Sequence, residues 1–317
     1  MIIIGAGLSG LLAARRFWTH EPIIYEMQQS LPNNHNALLR FRSNDIGTAI
    51  GIPFKKVNVY KGILQADNYT ITNTPTIKDM NAYSIKTTGQ LLERSIINTD
   101  KSVRYIAPDD LINQMSKGVN IHYDTNAKYF LEQILDRNVN NSVVISTIPM
   151  PIMMELLKYP KRPEFVTQSV WTLNCDLIGS NVYQTLYLPY GDDTSPYRIS
   201  ITGNKLTAEW TGEPSTGQCF NIIERMMSVL FGHFAAIEFD HVRFHQQIYG
   251  KIVPIDEIER QRFILWATDH YNVYSLGRYA TWKQILLDDV LMDIEIIKQF
   301  LTQRTDYNRA KHYSKEA

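Results

Sequence analysis

Cysteine is scarce: Cys175 and Cys219 are the only two in 317 residues. A pair 44 positions apart matches neither a zinc ligand set nor a disulfide framework, so the sequence points to a reducing, cytoplasmic setting. Long apolar runs are missing as well. None reaches the roughly 20 residues that span a bilayer, and the first residues carry no basic leader with a cleavage site, so no membrane association or export is expected. Charge of one sign is lacking, because 32 Lys plus Arg balance 32 Asp plus Glu. That balance removes the broad basic field of a nucleic-acid backbone binder. A base, nucleoside or polymer end stays open as a recognised substrate, with no support from charge. The eight histidines include no HExxH, and His233, His241 and His245 lack a carboxylate arrangement, so no metal is expected. GxSxG and GxxxxGK(S/T) are absent too, which excludes serine hydrolases and P-loop ATPases.

What is present suits a globular protein with a small-molecule partner. Hydrophobic residues make up 44% and charged residues 20%, outside the range of disordered or fibrous chains. The length suggests two domains or one large interrupted one. The first thirty residues carry the clearest signal: the apolar run Ile2-Ile3-Ile4, then GAGLSG, then Leu11 to Phe17, then Ile23-Ile24-Tyr25 ending at Glu26. This reads as strand, tight glycine turn, helix and second strand. Gly5 allows the turn, Gly7 lets backbone approach a pyrophosphate, and Gly10 permits close packing of helix on strand. The helix start offers free amides and partial positive charge to a diphosphate. Glu26 stands where a carboxylate accepts the hydroxyls of an adenosine ribose and would repel the extra phosphate of NADP. Whether the ligand is FAD or NAD is open at this point.

Further along, Arg40 and Arg42 flank Phe41 and would share one side of a strand, either as an ion-paired face or as a clamp on diphosphate or substrate. Strands are expected within 46–60, 69–76, 118–123, 142–149, 165–174, 182–188, 249–253, 263–268 and 271–276. Helices are expected in 83–97 (opening near Thr88), 108–115, 129–135, 220–231 and 285–301, with a dispensable polar tail after Gln303. The best hairpin joins Tyr197–Thr202 to Lys205–Trp210 across Gly203-Asn204. One of its faces carries Tyr197, Ile199 and Ile201, the other Arg198, Ser200 and Thr202.

The stretch Val273-Tyr274-Ser275-Leu276-Gly277-Arg278-Tyr279-Ala280-Thr281-Trp282-Lys283 resembles the flavin-closing segment of FAD proteins related to UDP-galactopyranose mutase, protoporphyrinogen oxidase and the flavin amine oxidases. GAGLSG matches their opening turn, and VVISTIP looks like their returning strand. The resemblance touches almost the whole chain, although only these anchors are specific. It implies an α/β fold: a Rossmann-like FAD-binding domain with an interleaved antiparallel-sheet substrate domain. The FAD-binding segments would be 1–44, 116–160 and 249–303, the substrate segments 45–115 and 161–248, and the tail 304–317. It also implies FAD as cofactor. Gly5, Ala6, Gly7, Ser9 and Gly10 would line the diphosphate, and Glu26 the ribose. Val119 would meet the adenine, Gly277 and Arg278 would flank the diphosphate and ribityl chain, and Arg40 or Arg42 would supply a second arginine.

Flavin carries the chemistry, so the protein has to place a substrate against it. Candidate wall residues are Tyr187, Tyr197, Arg198, Glu209, Trp210, Lys251 and Tyr279, and those assigned to catalysis are Lys251, Arg198, Tyr197 and Tyr279. Each has a bland alternative as a core, rim or surface residue. The main expectation is an FAD-dependent oxidoreductase acting on a small polar or amine-containing substrate by hydride transfer to flavin N5. The alternatives are a mutase-like rearrangement of a nucleotide sugar by reduced FAD, favoured by Gly277-Arg278 with Arg198, and a non-catalytic flavin-binding module. Two departures weaken UDP-galactose as the substrate: the chain is compact for a mutase, and Asp288-Asp289 lies later than the carboxylate that follows the mutase Gly-Arg segment.

Overall fold

The computed structural model describes residues 1–32, 39–65, 70–91, 96, 99, 101–129, 131, 142–191, 194–215, 217, 219, 221, 223, 224, 228 and 239–313, with side chains as far as 303 except at 239 and 240. Within them lie two sheets. The first is all parallel and takes its strands from distant parts of the chain: β1 (Ile2–Ile4), β2 (Ile23–Tyr25), β7 (Asn120–His122), β8 (Val144–Ser146) and β14 (Val273–Ser275), in the order β14-β8-β1-β2-β7. The inner strands β1 and β8, and β14 beside them, are short runs buried on both faces, as parallel strands need to be, whereas the edge strand β7 leaves Asn120 and His122 exposed. Ile3, Ile24, Ile145 and Tyr274 pack with helix α1 (Leu8–Arg16) and the long terminal helix, while Ile4, Val144 and Val273 pack with Met150, Met153, Phe263 and Trp282 on the other side. The chain leaves β1 towards β2 on one side and returns through β8 on the other. That reversal is where open α/β sheets hold their ligands, beyond the carboxyl ends of the strands.

The second sheet runs β13-β9-β12-β11-β10-β4-β6-β3, with β5 paired to β4. It comprises β3 (Arg40–Phe41), β4 (Lys55–Leu64), β5 (Ile71–Thr72), β6 (Ser102–Ile106), β9 (Thr167–Leu177), β10 (Val182–Tyr187), β11 (Arg198–Gly203), β12 (Lys205–Trp210) and β13 (Phe239–Ile252). It is mixed rather than purely antiparallel, because β4 and β10 run parallel. The expected hairpin is β11–β12, with Thr202 opposite Lys205 across Gly203-Asn204. Its two faces differ in character. Leu173, Leu186, Ile199, Ile201, Leu206, Ala208 and Trp210 form one apolar core. The register puts Arg198, Ser200 and Thr202 with Glu209, Thr207 and Lys205, and with Tyr187, Thr185 and Tyr183, on the other, polar face.

Several expectations need correction. Residues 263–268 are helix, part of α6 (Glu257–Tyr271), not strand. Asp256 caps α6 by accepting N–H bonds from Ile258 and Glu259, both at 3.0 Å, and left-handed Asn272 ends it, so the apolar run FILWAT lies between a start and a stop signal. Residues 45–50 form α2 (Asp45–Ile50), closed by Gly51 at φ +70°, and the strand begins only at Lys55. The helix expected to open near Thr88 instead ends there: α3 (Ile77–Thr88) starts at a Thr76–Asp79 capping box and stops at Gly89. Of the rest of the 83–97 reading, 92–95 and 97 lie outside the described residues, as do most of 129–135 and 220–231. The terminal helix α7 (Leu287–Tyr313), expected over 285–301, buries Val290, Ile294 and Ile297 and continues beyond Gln303. Short helices α4 (Leu111–Ser116) and α5 (Met150–Leu156) complete the described helices of four or more residues, with α5 entered through Pro149. The strand β6 and the first part of β13 are additions to the sequence reading.

Asp79 gives α3 a pH signature. Burial alone would raise its carboxyl, but hydrogen bonds from the Thr76 backbone, the Tyr190 and Thr76 hydroxyls and Gln65 outweigh it and hold the group below its ordinary value. A carboxyl lowered in the folded state stabilises fully above its unfolded value and loses that contribution as pH falls through the folded one. Thermal melting should therefore fall more steeply with acidification below pH 3.8 in the wild type than in Asp79→Asn. Parallel slopes would contradict this assignment.

Candidate functional site

The carboxyl ends of β1, β2, β8 and β14 converge on the glycine loop. Gly5 donates its N–H to Tyr25 O at 2.9 Å. Glu26 accepts the Ala6 N–H at 2.6 Å through one oxygen and the Gln28 N–H at 2.9 Å through the other, so it is tied to the loop it follows. A Cβ on Gly10 would collide with the Gly5 carbonyl oxygen, which is the close packing that the third glycine is there to allow. A Cβ on Gly7 would meet nothing within 4 Å, and no side chain caps the start of α1 there. The first-turn amides of a helix have no partner inside it. Together these leave an open, donor-rich cradle at a helix start, suited to an anion.

Residues distant in sequence complete the cradle. Thr147 follows β8 and donates its hydroxyl to Ile4 O at 2.8 Å and to Gly5 O at 3.2 Å, and a Cβ on Gly5 would come within 2.5 Å of that hydroxyl. Gly277, at φ +89°, lies so close to the loop that a Cβ would meet Ser9 Oγ at 2.5 Å. The late Gly-Arg turn is thus packed directly on the opening glycine loop. Arg278 is half-buried beside it, and its guanidinium has no hydrogen bond or ion pair among the described residues. Thr147 was missed by sequence reasoning. The signal available was its place one residue past a central parallel strand.

Three of the expected nucleotide contacts lie elsewhere. Val119 precedes β7, at the edge of the sheet opposite Gly5 and Glu26, and packs into the core. At the Glu26 end, the residue of β7 is His122, whose ring centroid is 5.2 Å from that of Tyr25 and whose carbonyl accepts the Glu26 N–H. Arg42 bonds Asp289 and lies 3.7 Å from Asp288, joining the turn after β3 to the start of α7. Arg40 belongs to the second sheet, where it donates to Thr185 Oγ1 at 2.6 Å, Thr202 Oγ1 at 2.9 Å and Gln184 O at 3.0 Å. These bonds reach from the edge strand β3 across to β10 and β11, so the sheet curls back on itself.

The expected substrate residues divide similarly. Trp210 is fully buried in the apolar core, with its indole N–H donated to Thr194 O at 2.9 Å, and is not a wall residue. Tyr197, Arg198, Glu209 and Lys251 do come together. Arg198 pairs bidentately with Glu209, the Tyr197 hydroxyl donates to Glu209 Oε1 at 3.2 Å, and the Lys251 ammonium lies 4.6 Å from the Tyr197 ring centroid while bonded to Thr87 O. Tyr187 stands opposite Arg198, edge-on to Tyr83 at 5.4 Å. Tyr279 reaches this group through Tyr249, at 5.9 Å between ring centroids, and Tyr249 is two residues before Lys251 on β13. The Gly277 turn and the Arg198 cluster are therefore linked by one short stretch of strand, about 7 Å of chain.

Positive charge dominates this polar face. Burial, followed by the Arg198 guanidinium, pushes Arg40 down to about 9. Burial, then Arg104 and Arg40, lowers Lys61. The Glu209 carboxylate, against strong desolvation, holds Arg198 well above its ordinary value. Removing Glu209 would leave Arg198 without its carboxylate. Losing one partner of a fully buried pair costs about 3–5 kcal/mol, and Arg198 is partly exposed, so Glu209→Ala should cost about 2 kcal/mol in a urea melt. An unchanged midpoint would remove the pair from the account.

No protein-family model and no curated protein matches the chain. Among solved structures, reduced UDP-galactopyranose mutase is similar with a TM-score of 0.65 at 15% identity, over 95% of this chain and 93% of that one. A protein described as a protoporphyrinogen oxidase from Exiguobacterium sp. 255-15 has a TM-score of 0.59 at 10% identity, over 94% and 98%. One described as an FAD-containing monooxygenase from Photorhabdus luminescens has 0.50 at 10%, over 96% and 88%. At such identities the likeness is one of fold, and the chain shares the two-sheet fold of these proteins.

Proposed function

We propose that the chain is a flavoenzyme that holds FAD between the glycine loop and the Gly277 turn and acts, as a mutase would, on a substrate bearing a nucleoside diphosphate. The cradle supports the first half of this reading: Gly7 opens onto free space, α1 offers its amides, and Arg278, unpaired among the described residues, stands beside Gly277. Ala6 and Ser9 would line the diphosphate, and Glu26, with acceptor capacity left on both oxygens, would take the ribose hydroxyls. Reduced FAD would supply a nucleophilic ring nitrogen, and oxidised FAD a hydride acceptor.

One observation carries the second half. Arg40, Lys61 and Arg198 share a single polar face: Lys61 stands opposite Thr185, Arg40 donates to Thr185 and Thr202, and Arg198, opposite Tyr187, pairs with Glu209. Crowded, partly desolvated cations suit a doubly charged anion, and arginine forks suit phosphate oxygens. Arg198, oriented by Glu209, would hold the diphosphate. Tyr187 would wall the sugar, while Tyr197, buried behind it, would support Glu209 through its hydroxyl, and Lys251, anchored on the Thr87 carbonyl, would fix the Tyr197 ring. Hydride transfer from an amine makes no use of so many cations, so the mutase-like reading ranks above the oxidoreductase one. The likeness to the mutase fold supports the same order.

The test is turnover of UDP-hexopyranoses, UDP-galactopyranose first, with and without dithionite. Isomerised sugar should form only in the reduced sample. No binding of any UDP-sugar to the reduced protein, together with anaerobic bleaching by an amine or amino acid, would return the chain to the oxidoreductase reading.

A further inference from the structure

A cavity of about 500 Å³ opens where the end of β4 meets the start of α3. None of its lining residues belongs to the glycine loop, the Gly277 turn or the Arg198 cluster. Among the described residues its wall carries the hydroxyls of Thr72, Thr74 and Thr76, the Gln65 amide and Tyr190. Asp79 contributes to the wall but is only 1% exposed, and its carboxylate is filled. Gln65 Nε2 at 3.3 Å and the Tyr190 hydroxyl at 2.7 Å donate to Oδ1, while the Thr76 N–H and hydroxyl, each at 2.7 Å, donate to Oδ2. Four donors on two oxygens leave no lone pair for a cation. Asp79 acts instead as a hub that fixes the Gln65 amide and the Tyr190 ring against α3. Lys86 holds the other side of Tyr190, donating to its carbonyl at 2.9 Å.

We propose that this cavity binds a neutral, polyhydroxylated ring, a monosaccharide unit. Thr74 and Thr76 give their hydroxyl protons to Asn73 and Asp79 and keep lone pairs to accept, while Thr72 accepts the Thr74 N–H and keeps its proton to donate, so sugar hydroxyls, which both donate and accept, pair with them without a charge. The Tyr190 ring offers an apolar surface to the C–H face of such a ring while its hydroxyl stays bonded to Asp79. The volume lies within the roughly 300–1,000 Å³ usual for small-molecule sites. Lys78, whose ammonium lies 5.8 Å from the Tyr190 ring centroid, is the cation of the wall, which makes inorganic phosphate the competing ligand to test.

Saturation-transfer NMR on the full chain, with methyl β-D-galactopyranoside and methyl α-D-glucopyranoside as probes, reads this directly. Saturation should reach the ring protons of at least one glycoside and fall about fivefold, the worth of one hydrogen bond, in Thr74→Val. It should vanish in Tyr190→Ala. Thr74→Val keeps the side-chain shape and removes only the hydroxyl, so it answers even where Tyr190→Ala destabilises the fold. No transfer from either glycoside, undiminished transfer in both variants, or broadening of the phosphate ³¹P line alone would overturn the proposal. Flavin content measured on the same samples reads the dinucleotide assignment separately, and the sugar site stands or falls without it.

Discussion

Gly10→Ala is expected to cost about 3 kcal/mol or more and to leave little folded protein, although it adds a single methyl group to a helix. Overpacking usually costs about 1–3 kcal/mol because neighbouring side chains can move. Here the added carbon would meet the Gly5 carbonyl oxygen and carbon, with Ile3 behind them. That carbonyl is held in turn by the Thr147 hydroxyl and leaves little room to yield. Helix propensity favours alanine over glycine by about 1 kcal/mol, too little to offset the collision. A urea melt of the purified variant checks this, and wild-type stability would mean that α1 does not pack on the loop as described.

Gly7→Trp is expected to do the opposite: to fold normally and lose its flavin. Gly7 is exposed, its φ of −65° suits any residue, and a Cβ there points into open space. The indole would fill the volume that a diphosphate needs against the first-turn amides. Thermal melting should stay within a few degrees of flavin-free wild type, while flavin retained through gel filtration drops to background. Normal flavin occupancy in this variant would refute the placement of the turn. The two glycines are three residues apart, and the contrast between them separates the architecture of the cradle from its contents.

The parts of the fold that were legible in the sequence are those where local chemistry and tertiary role agree. The opening Ile2 to Glu26 unit could be read because its strands are continuous apolar runs and its glycines have separate steric tasks. The β11–β12 hairpin could be read because Gly203-Asn204 separates two alternating runs, and the alternation correctly put Arg198, Ser200 and Thr202 on one face. Residues 263–268 misled because a six-residue apolar run has no period of its own, and the deciding groups, Asp256 and Asn272, lie outside it. Thr88 was mistaken for a start because threonine caps helices, whereas the working cap is Thr76, with its partner Asp79 three residues on. At the site, the resemblance set the glycine loop and the Gly277 turn along one ligand, and the close approach of Gly277 to Ser9 is the packing that only the structure shows. The place of Arg40 was not legible: it depends on the sheet curling until β3 faces β10 and β11, a long-range fact that no window of sequence contains. In sequence Lys251 reads as a surface lysine, and its bond to the Thr87 carbonyl and its place on Tyr197 depend equally on α3 and β13 meeting.

The central claim is that a glycine loop at the start of the chain and a glycine-arginine turn 272 residues after Gly5 close on one FAD. Absorption spectroscopy of the purified protein after incubation with FAD and gel filtration tests it most directly, with mass spectrometry of the ligand released on denaturation. A yellow protein yielding the mass of FAD in near-stoichiometric amount is the predicted result. A folded protein that stays colourless and passes the column without flavin would contradict the account.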